Sequence, residues 1–204
     1  YIEAVDELLP FVDFYKVASY EILWHNLIKE CCETGKKFMF SSGMATLDEI
    51  KSALSVIEMA KATDVTLMKC TSNYPAELTD LNLAAIASLK KIGSQYKKFQ
   101  FQVGLSDHSR SIPAVLRAIH KYDISAIELH VDIDRKGAEF GAGHCWLPEE
   151  IRKLKKFIDE GIASDGSDIL EPVEKELGER DWRADPEDGL RPLQKLRHSF
   201  KDGK

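Results

Sequence analysis

The sequence lacks the features that mark several large classes of protein. No apolar run reaches the roughly 18 to 20 residues that a membrane-spanning helix needs, and no signal peptide opens the chain. Four cysteines occur in 204 residues, without a C-x-x-C pair or a metal-ribbon spacing. The 12 glycines and seven prolines are an ordinary supply of turns, which excludes collagen-like and low-complexity chains. These absences predict a protein of the reducing cytoplasm with free, mostly buried thiols and no membrane partner.

Positive charge is also in short supply, because the formal net charge is −6 at pH 7. Such a chain has no general attraction for the phosphates of nucleic acids, so we expect no nucleic-acid partner. Local lysines and backbone amides can still bind an anionic small molecule. With 44% hydrophobic and 30% charged residues, 204 residues are enough for one domain with a substantial core.

Short β-rich segments alternate with helical patterns about five times. The strand segments are 14–19, 37–41, 65–70, 99–105 and 124–131, and the helical patterns are 24–33, 47–61, 81–92, 112–121 and 148–162. Because a helix follows each strand, right-handed βαβ crossovers and a parallel sheet are the simplest solution. The alternation alone leaves two architectures open, a doubly wound sheet and a closed (β/α) barrel. Residues 164–204 show no such pattern, and we interpret them as a polar C-terminal extension with short helical pieces.

Polar side chains share one face of the fourth and fifth predicted strands. Ser106 and His108 alternate with apolar residues in the fourth strand, as Glu128 and His130 do in the fifth. The apolar faces must pack against helices, so the polar faces are predicted to point into a barrel interior or a ligand site. The two histidines then end consecutive strands, which is where parallel α/β folds bind ligands. Two imidazoles so placed can bind a divalent metal ion.

Small hydroxyl side chains, a lysine and a glycine follow the other strand ends. They are Lys16, Ser19, Glu21, Ser41, Ser42, Gly43, Thr71, Ser72, Asn73 and Tyr74. Backbone amides and helix dipoles at such positions favour a phosphate group. The same residue types are also common as helix N-caps, so each position taken singly is a weak indication.

Five segments together resemble one family. They are 16–21 (KVASYE), 41–46 (SSGMAT), 70–75 (CTSNYP), 104–108 (GLSDH) and 128–130 (ELH). They are similar, in order and spacing, to the sialic acid (N-acetylneuraminate) synthase family, which includes the legionaminic and pseudaminic acid synthases. The resemblance implies a (β/α)8 TIM-type barrel. Residues 1–163 would then be its C-terminal five or so βα units, and we expect the N-terminal strands to be absent from this chain and supplied by sequence before Tyr1.

The resemblance also implies an activity. That activity condenses phosphoenolpyruvate with an N-acetylated amino sugar, such as N-acetylmannosamine, to give a sialic-acid-type nonulosonic acid and phosphate with the help of Mn²⁺ or Mg²⁺. It implies that His108 and His130 bind the metal, and that the protein forms a homodimer. The residues implied to act in catalysis are Lys16, Glu21 and Tyr74. The residues implied to bind substrate are Ser19, Ser41, Ser72 and Ser106.

Some features depart from the family pattern. Residues 141–144 read Gly-Ala-Gly-His where the family usually has Gly-Pro-Asp-His, so Gly143 replaces an aspartate that faces the sugar. No antifreeze-like domain is visible in 164–204, and we expect this polypeptide alone to be an incomplete catalyst. Two alternatives stay open: another metal-dependent barrel aldolase or lyase, with Lys16 as a conceivable Schiff-base lysine, and a non-catalytic protein that binds a sugar phosphate.

Overall fold

The computed structural model describes residues 1–60 and 62–201. The chain forms two compact units, one of residues 1–160 and one that starts at residue 161. The strands are β1 (Phe14–Val17), β2 (Lys37–Ser41), β3 (Asp64–Cys70), β4 (Gln100–Asp107) and β5 (Ile127–Leu129). The helices are α1 (Glu3–Leu8), α2 (His25–Glu33), α3 (Leu47–Met59), α4 (Ala85–Gly93), α5 (Ile112–Tyr122), α6 (Ala138–Ala142), α7 (Pro148–Asp165) and α8 (Gln194–Lys201).

The five strands form one parallel sheet in the order β1-β2-β3-β4-β5. The prediction of a parallel sheet is therefore confirmed. A doubly wound sheet reverses its strand order at a switch point, whereas successive strands of a (β/α) barrel follow one another around the axis. The uninterrupted order matches part of a barrel.

The sheet is curled as a half barrel. The two edge strands carry Lys16 and Glu128, and their side chains form an ion pair of 2.9 Å between Nζ and Oε1. The two side chains can meet only if the sheet curves, so that β1 and β5 approach each other across the concave face. The opposite, convex face is apolar and packs against helices. Its fully buried side chains include Phe38, Phe40, Val65, Leu67 and Val103.

Local sequence signals explain most helix boundaries. Thr46 and Glu49 form the predicted capping box, in which Glu49 N–H donates to Thr46 Oγ1 and Thr46 N–H donates to Glu49 Oε2. The helix that follows ends at Met59, and residue 61, its predicted end, lies outside the described residues. α4 begins at Ala85 instead of the predicted 81, because Asn82 has a left-handed φ of 44° and cannot continue a helix.

The unit from residue 161 has its own small set of interactions. Asp185 is buried and accepts a hydrogen bond from the Gln194 N–H at 2.7 Å. Arg197 binds both carboxylate oxygens of Asp188. Two short 3-10 helices, Glu174–Glu176 and Gly178–Trp182, precede α8. Within the described part of the chain, no helix combines the length and the apolar character needed to cross a membrane.

Candidate functional site

The polar residues predicted from strand alternation lie on the concave face of the sheet. Strand register places Cys70 opposite Ser106, and Ser106 opposite Glu128, in one row across β3, β4 and β5. His108 follows two residues beyond Ser106, and His130 two residues beyond Glu128. Residues that alternate along parallel strands share a face, so both histidines continue this row at the carboxyl edge.

A cluster of hydroxyl groups lies at the carboxyl ends of the first three strands. The Gly43 N–H donates to Ser19 Oγ at 3.0 Å. A Cβ at Gly43 would lie 2.1 Å from Ser72 Oγ, 2.7 Å from Ser19 Oγ and 3.1 Å from Cys70 Sγ. Only glycine leaves room for these side chains, so the sequence Ser-Ser-Gly at 41–43 brings the hydroxyls of two other loops together.

Two further predicted hydroxyl residues are buried in the strands themselves. Ser41 is 1% exposed and Ser106 is 4% exposed. Ser41 Oγ has no hydrogen-bond partner among the described residues. Burying a hydroxyl without a hydrogen-bond partner costs free energy. A group that hydrogen-bonds a ligand is expected to be in this state when the ligand is absent.

Lys16 contributes the positive charge on this face, and Glu128 holds it there. The carboxylate binds the Lys16 ammonium through Oε1, while Oε2 is buried and has no partner within the described residues. The Lys16 side chain is 23% exposed, so the ammonium is still accessible from the concave side.

Cys70 is a thiol of unusual environment between the hydroxyl cluster and the histidines. Its sulfur lies 3.8 Å from Ser72 Oγ and 4.0 Å from His108 Nδ1. Burial by itself raises the pKa of Cys70, but hydrogen bonds from His108, Ser19 and Ser72 outweigh burial and lower it to about 7. Sequence reasoning did not select Cys70 as a site residue.

His108 is fixed by the loop that follows β3. Its Nδ1 lies 2.8 Å from the Thr71 carbonyl oxygen, and its ring packs at 4.1 Å between centroids on Tyr74. Burial lowers the pKa of His108, whereas hydrogen bonds to Cys70 and Thr71 raise it by more, so the net shift is upward. When Nδ1–H donates to the carbonyl, the Nε2 lone pair is left for a metal ion or a substrate.

His130 lies beside His108, with 5.0 Å between ring centroids. Two imidazoles that bind one ion through bonds of about 2.1 Å bring their centroids to roughly this separation. The His130 carbonyl accepts a 2.7 Å hydrogen bond from the Trp146 N–H, and its Nδ1 lies 3.2 Å from Glu139 Oε2. The predicted pair is therefore brought together in a geometry that fits a divalent metal ion.

A third imidazole, that of His144, joins this pair. Its ring centroid is 4.8 Å from that of His130 and 5.2 Å from that of Tyr74. His144 is 3% exposed, and neither ring nitrogen has a hydrogen-bond partner among the described residues. Burial, followed by the neighbouring His130, lowers its pKa and favours the neutral ring.

The described contacts do not tie Glu21 to the other predicted site residues. Glu21 ends a 3-10 turn, Ser19–Glu21, and is half-buried. Tyr74, in contrast, lies against the rings of His108, His130 and His144. The other seven predicted positions lie on the concave face or at its carboxyl edge; they are Lys16, Ser19, Ser41, Ser72, Ser106, His108 and His130.

Asp107 is an important residue that the strand alternation assigned to the apolar side. It is fully buried and accepts hydrogen bonds from Ser109 Oγ, the Arg110 N–H and Trp146 Nε1. These bonds fix the turn directly after His108. The short spacing from Asp107 to the hydroxyl of Ser109 is a turn signal that the sequence could have supplied.

Glu139 and His144 were also not selected as site residues. They lie 9 and 14 residues beyond His130, and sequence distance gives no indication that they return to it. A parallel bridge between Val131 and Trp146 brings the second segment alongside the first. Only the fold creates this proximity.

Comparison with known proteins identifies the family. Residues 1–169 match the NeuB family. The chain belongs to this family. It is 33% identical over 171 residues to N,N'-diacetyllegionaminic acid synthase of Campylobacter jejuni subsp. jejuni serotype O:2, covering 79% of this chain and 49% of that protein. It is 35% identical over 166 residues to a pseudaminic acid synthase of C. jejuni subsp. jejuni serotype O:23/36, covering 81% and 46%.

A solved structure of the NeuB type has the same fold. The N-acetylneuraminic acid synthetase from Leptospira borgpetersenii serovar Hardjo-bovis, in complex with citrate, superposes with a TM-score of 0.66 at 31% identity, covering 83% of this chain and 56% of that chain. The resemblance to sialic, legionaminic and pseudaminic acid synthases drawn from sequence motifs is thus confirmed. The chain spans about half the length of the curated relatives it matches.

Proposed function

We propose that this chain contributes to a nonulosonic acid synthase, which condenses phosphoenolpyruvate with an N-acetylated amino sugar and releases phosphate. The observation that supports the proposal is that two groups of side chains, a cation with hydroxyls and a pair of imidazoles, share the concave face of the sheet and its carboxyl edge. Lys16 and the hydroxyl cluster form the first, and His108 with His130 form the second. Within the proposed function, the five strands are part of a (β/α)8 barrel, and residues 164–204 are an extension outside it.

The anion-binding half suits phosphoenolpyruvate. The Lys16 ammonium and the hydroxyls of Ser19, Ser41, Ser72 and Ser106 would bind its phosphate and carboxylate groups. The Ser41 hydroxyl supports this role because it is buried and unpartnered among the described residues. Donors held in place before the substrate arrives stabilise the charge that develops on the phosphate without reorganising.

The imidazole half suits a divalent metal ion, Mn²⁺ or Mg²⁺. His108 and His130 would hold it, with the Thr71 carbonyl orienting the His108 ring. A bound ion supplies Lewis-acid polarisation of the sugar aldehyde oxygen. The protein's own part is to hold the enol carbon of phosphoenolpyruvate near that aldehyde, because orientation lowers the barrier to carbon–carbon bond formation.

The sugar would lie near Tyr74 and Glu21. The Tyr74 ring packs against three imidazoles and is half-buried, so its hydroxyl can contact a substrate bound at the metal. Gly143 adds no side chain where the family usually has an aspartate. We therefore propose a sugar whose recognition at this position does not depend on a carboxylate, in an enzyme of the cytoplasm that acts as a homodimer.

One alternative chemistry is disfavoured by a specific contact. A Schiff-base lysine needs a free, desolvated amine. Lys16 instead has its side-chain nitrogen bound at 2.9 Å by the Glu128 carboxylate, so its amine is not free. The ion pair favours a role for Lys16 as a cation that binds an anionic substrate.

The test measures binding and turnover separately. Calorimetry with phosphoenolpyruvate in the presence of Mn²⁺ tests the anion site of this chain directly. Phosphate release with a panel of N-acetylated hexosamines then tests the reaction, and it is measured on the longest gene product that contains this chain. We expect phosphoenolpyruvate to bind the chain, His108→Ala to abolish metal-dependent phosphate release, and the exposed His120→Ala control to behave as wild type. Failure to bind phosphoenolpyruvate would overturn the proposal, and binding without release for any sugar would favour the non-catalytic alternative.

A further inference from the structure

His144 is a buried imidazole whose hydrogen-bonding capacity is unused. Both ring nitrogens are buried, and neither has a hydrogen-bond partner among the described residues. The nearest carboxylate oxygen, Glu139 Oε2, lies 3.7 Å from Nε2, which is beyond hydrogen-bonding distance. A neutral imidazole always carries one donor and one acceptor, so burying both without partners is unfavourable. A metal ion that accepts the lone pair would remove part of that cost.

The surroundings of His144 provide further metal-binding groups. One ligand atom from each of His130, Glu139, His144 and Cys145 lies within 4.8 Å of all the others. The Glu139 oxygen lies 3.2 Å from His130 Nδ1 and 3.7 Å from His144 Nε2, so one carboxylate oxygen faces both rings. His130, Glu139 and His144 are the imidazole–carboxylate cluster, and the Cys145 thiol is its neighbour.

The backbone holds the two halves of this cluster together. The Trp146 N–H donates to the His130 carbonyl at 2.7 Å, and the Asp132 N–H donates to the Trp146 carbonyl at 2.9 Å. Trp146 itself is 1% exposed and is anchored by its indole N–H on Asp107. The segment that carries His144 is therefore fixed beside His130 by packing and hydrogen bonds before any ion binds.

We propose that His130, Glu139 and His144 bind one divalent metal ion together, because their ligand atoms lie within 4.8 Å of one another. The inference shares only His130 with the metal pair of the proposed function and requires no substrate. Two imidazoles and one carboxylate form a nitrogen-rich donor set, which favours Co²⁺, Zn²⁺ or Mn²⁺ over Mg²⁺, a cation that prefers oxygen ligands. The Cys145 thiol is a neighbour of the set and not a member.

The test uses Co²⁺ as a probe and needs no turnover. Calorimetry measures the affinity of the metal-free chain for Co²⁺, and the visible spectrum of bound Co²⁺ reports its ligands. We expect His144→Ala and Glu139→Gln each to weaken binding about tenfold or more and to change the spectrum. The control variants are Cys145→Ser, which alters the thiol beside the cluster, and His120→Ala, which removes an exposed imidazole. Both should keep wild-type affinity.

The variants separate this inference from the metal pair of the proposed function. If His108→Ala weakens Co²⁺ binding while His144→Ala and Glu139→Gln bind as wild type, the pair stands and the cluster is wrong. If His144→Ala and Glu139→Gln weaken binding and His108→Ala does not, the cluster stands and the metal pair of the proposed function is wrong. His144→Asn preserves a polar side chain, and its far-ultraviolet circular dichroism checks that the fold survives. If Cys145→Ser binds Co²⁺ more weakly than wild type, the thiol is a ligand and the proposed ligand set is wrong.

Discussion

Lys16 and Glu128 form a 2.9 Å ion pair although they belong to the two opposite edge strands of a five-stranded sheet. In a flat sheet these strands would be about 19 Å apart, which is more than the two side chains can bridge. The ion pair therefore reports the curvature of the sheet. It also places the Lys16 ammonium on the concave face, beside Glu128.

Replacing Lys16 tests its role as the anion-binding cation. Lys16→Met keeps the length of the aliphatic chain but removes the charge, and we expect the affinity for phosphoenolpyruvate to fall at least tenfold, because a charge-assisted bond to phosphate is lost. Calorimetry measures this affinity. Lys29→Met is the matched control, since Lys29 forms only an exposed pair with Glu33 on α2. Equal affinity in Lys16→Met and wild type would remove Lys16 from the site.

Gly43 is the position where a single methyl group should disable the hydroxyl cluster. The Cβ of Gly43→Ala would lie 2.1 Å from Ser72 Oγ and 2.7 Å from Ser19 Oγ, so both side chains must move. We expect phosphoenolpyruvate affinity to fall about tenfold or more, while Co²⁺ binding at the histidines persists. Gly141→Ala is the control, because its Cβ meets nothing within 4 Å. Unchanged phosphoenolpyruvate affinity in Gly43→Ala would contradict this role of the cluster.

Cys31 and Cys32 should make the folded state less stable in alkaline solution. Burial raises the pKa of Cys31 to about 11 and that of Cys32 to about 12. An unfolded thiol ionises near pH 8.5, so above that pH only the unfolded state loses these protons and gains stability. Their contribution is fully present below about pH 8.5 and declines, by up to about 1.4 kcal/mol per pH unit for each thiol, as the pH rises towards the folded pKa values.

Chemical denaturation at a series of pH values measures this decline. The Cys31→Ala, Cys32→Ala double variant creates a cavity and is less stable at every pH. Its free energy of unfolding should nevertheless fall less steeply than that of wild type between about pH 8.5 and 10.5. Parallel curves for the two proteins would show that these thiols do not ionise differently in the folded and unfolded states.

Trp146 should stabilise the turn after His108 through its indole N–H. Trp146→Phe keeps an aromatic ring in the core but leaves Asp107 Oδ2 without the 3.2 Å hydrogen bond that it accepts from Nε1. We expect a loss of about 1–3 kcal/mol in the free energy of unfolding, because Asp107 is fully buried. Urea denaturation measures it, with Trp24→Phe at a 41% exposed position as the control. Equal losses in the two variants would argue against a special role for this hydrogen bond.

Much of the fold follows from local sequence. The five strands, the helices between them and the capping box at Thr46 were predicted because hydrophobic periodicity and capping depend on residues only a few positions apart. Alternation within a strand also placed His108 and His130 on one polar face. The start of α4 was wrong by four residues, since helical spacing does not reveal the left-handed conformation of Asn82.

The sequence by itself determined the order of strands and helices, the polar faces of β4 and β5, and the motifs of the NeuB family. Tertiary structure alone decided that Lys16 meets Glu128, that Gly43 lies between Ser19 and Ser72, and that His144 returns to His130. The physical reason is the range of the interactions. Propensity and alternation act over a few residues, whereas the curvature of the sheet and the Val131–Trp146 bridge bring together atoms from distant parts of the chain.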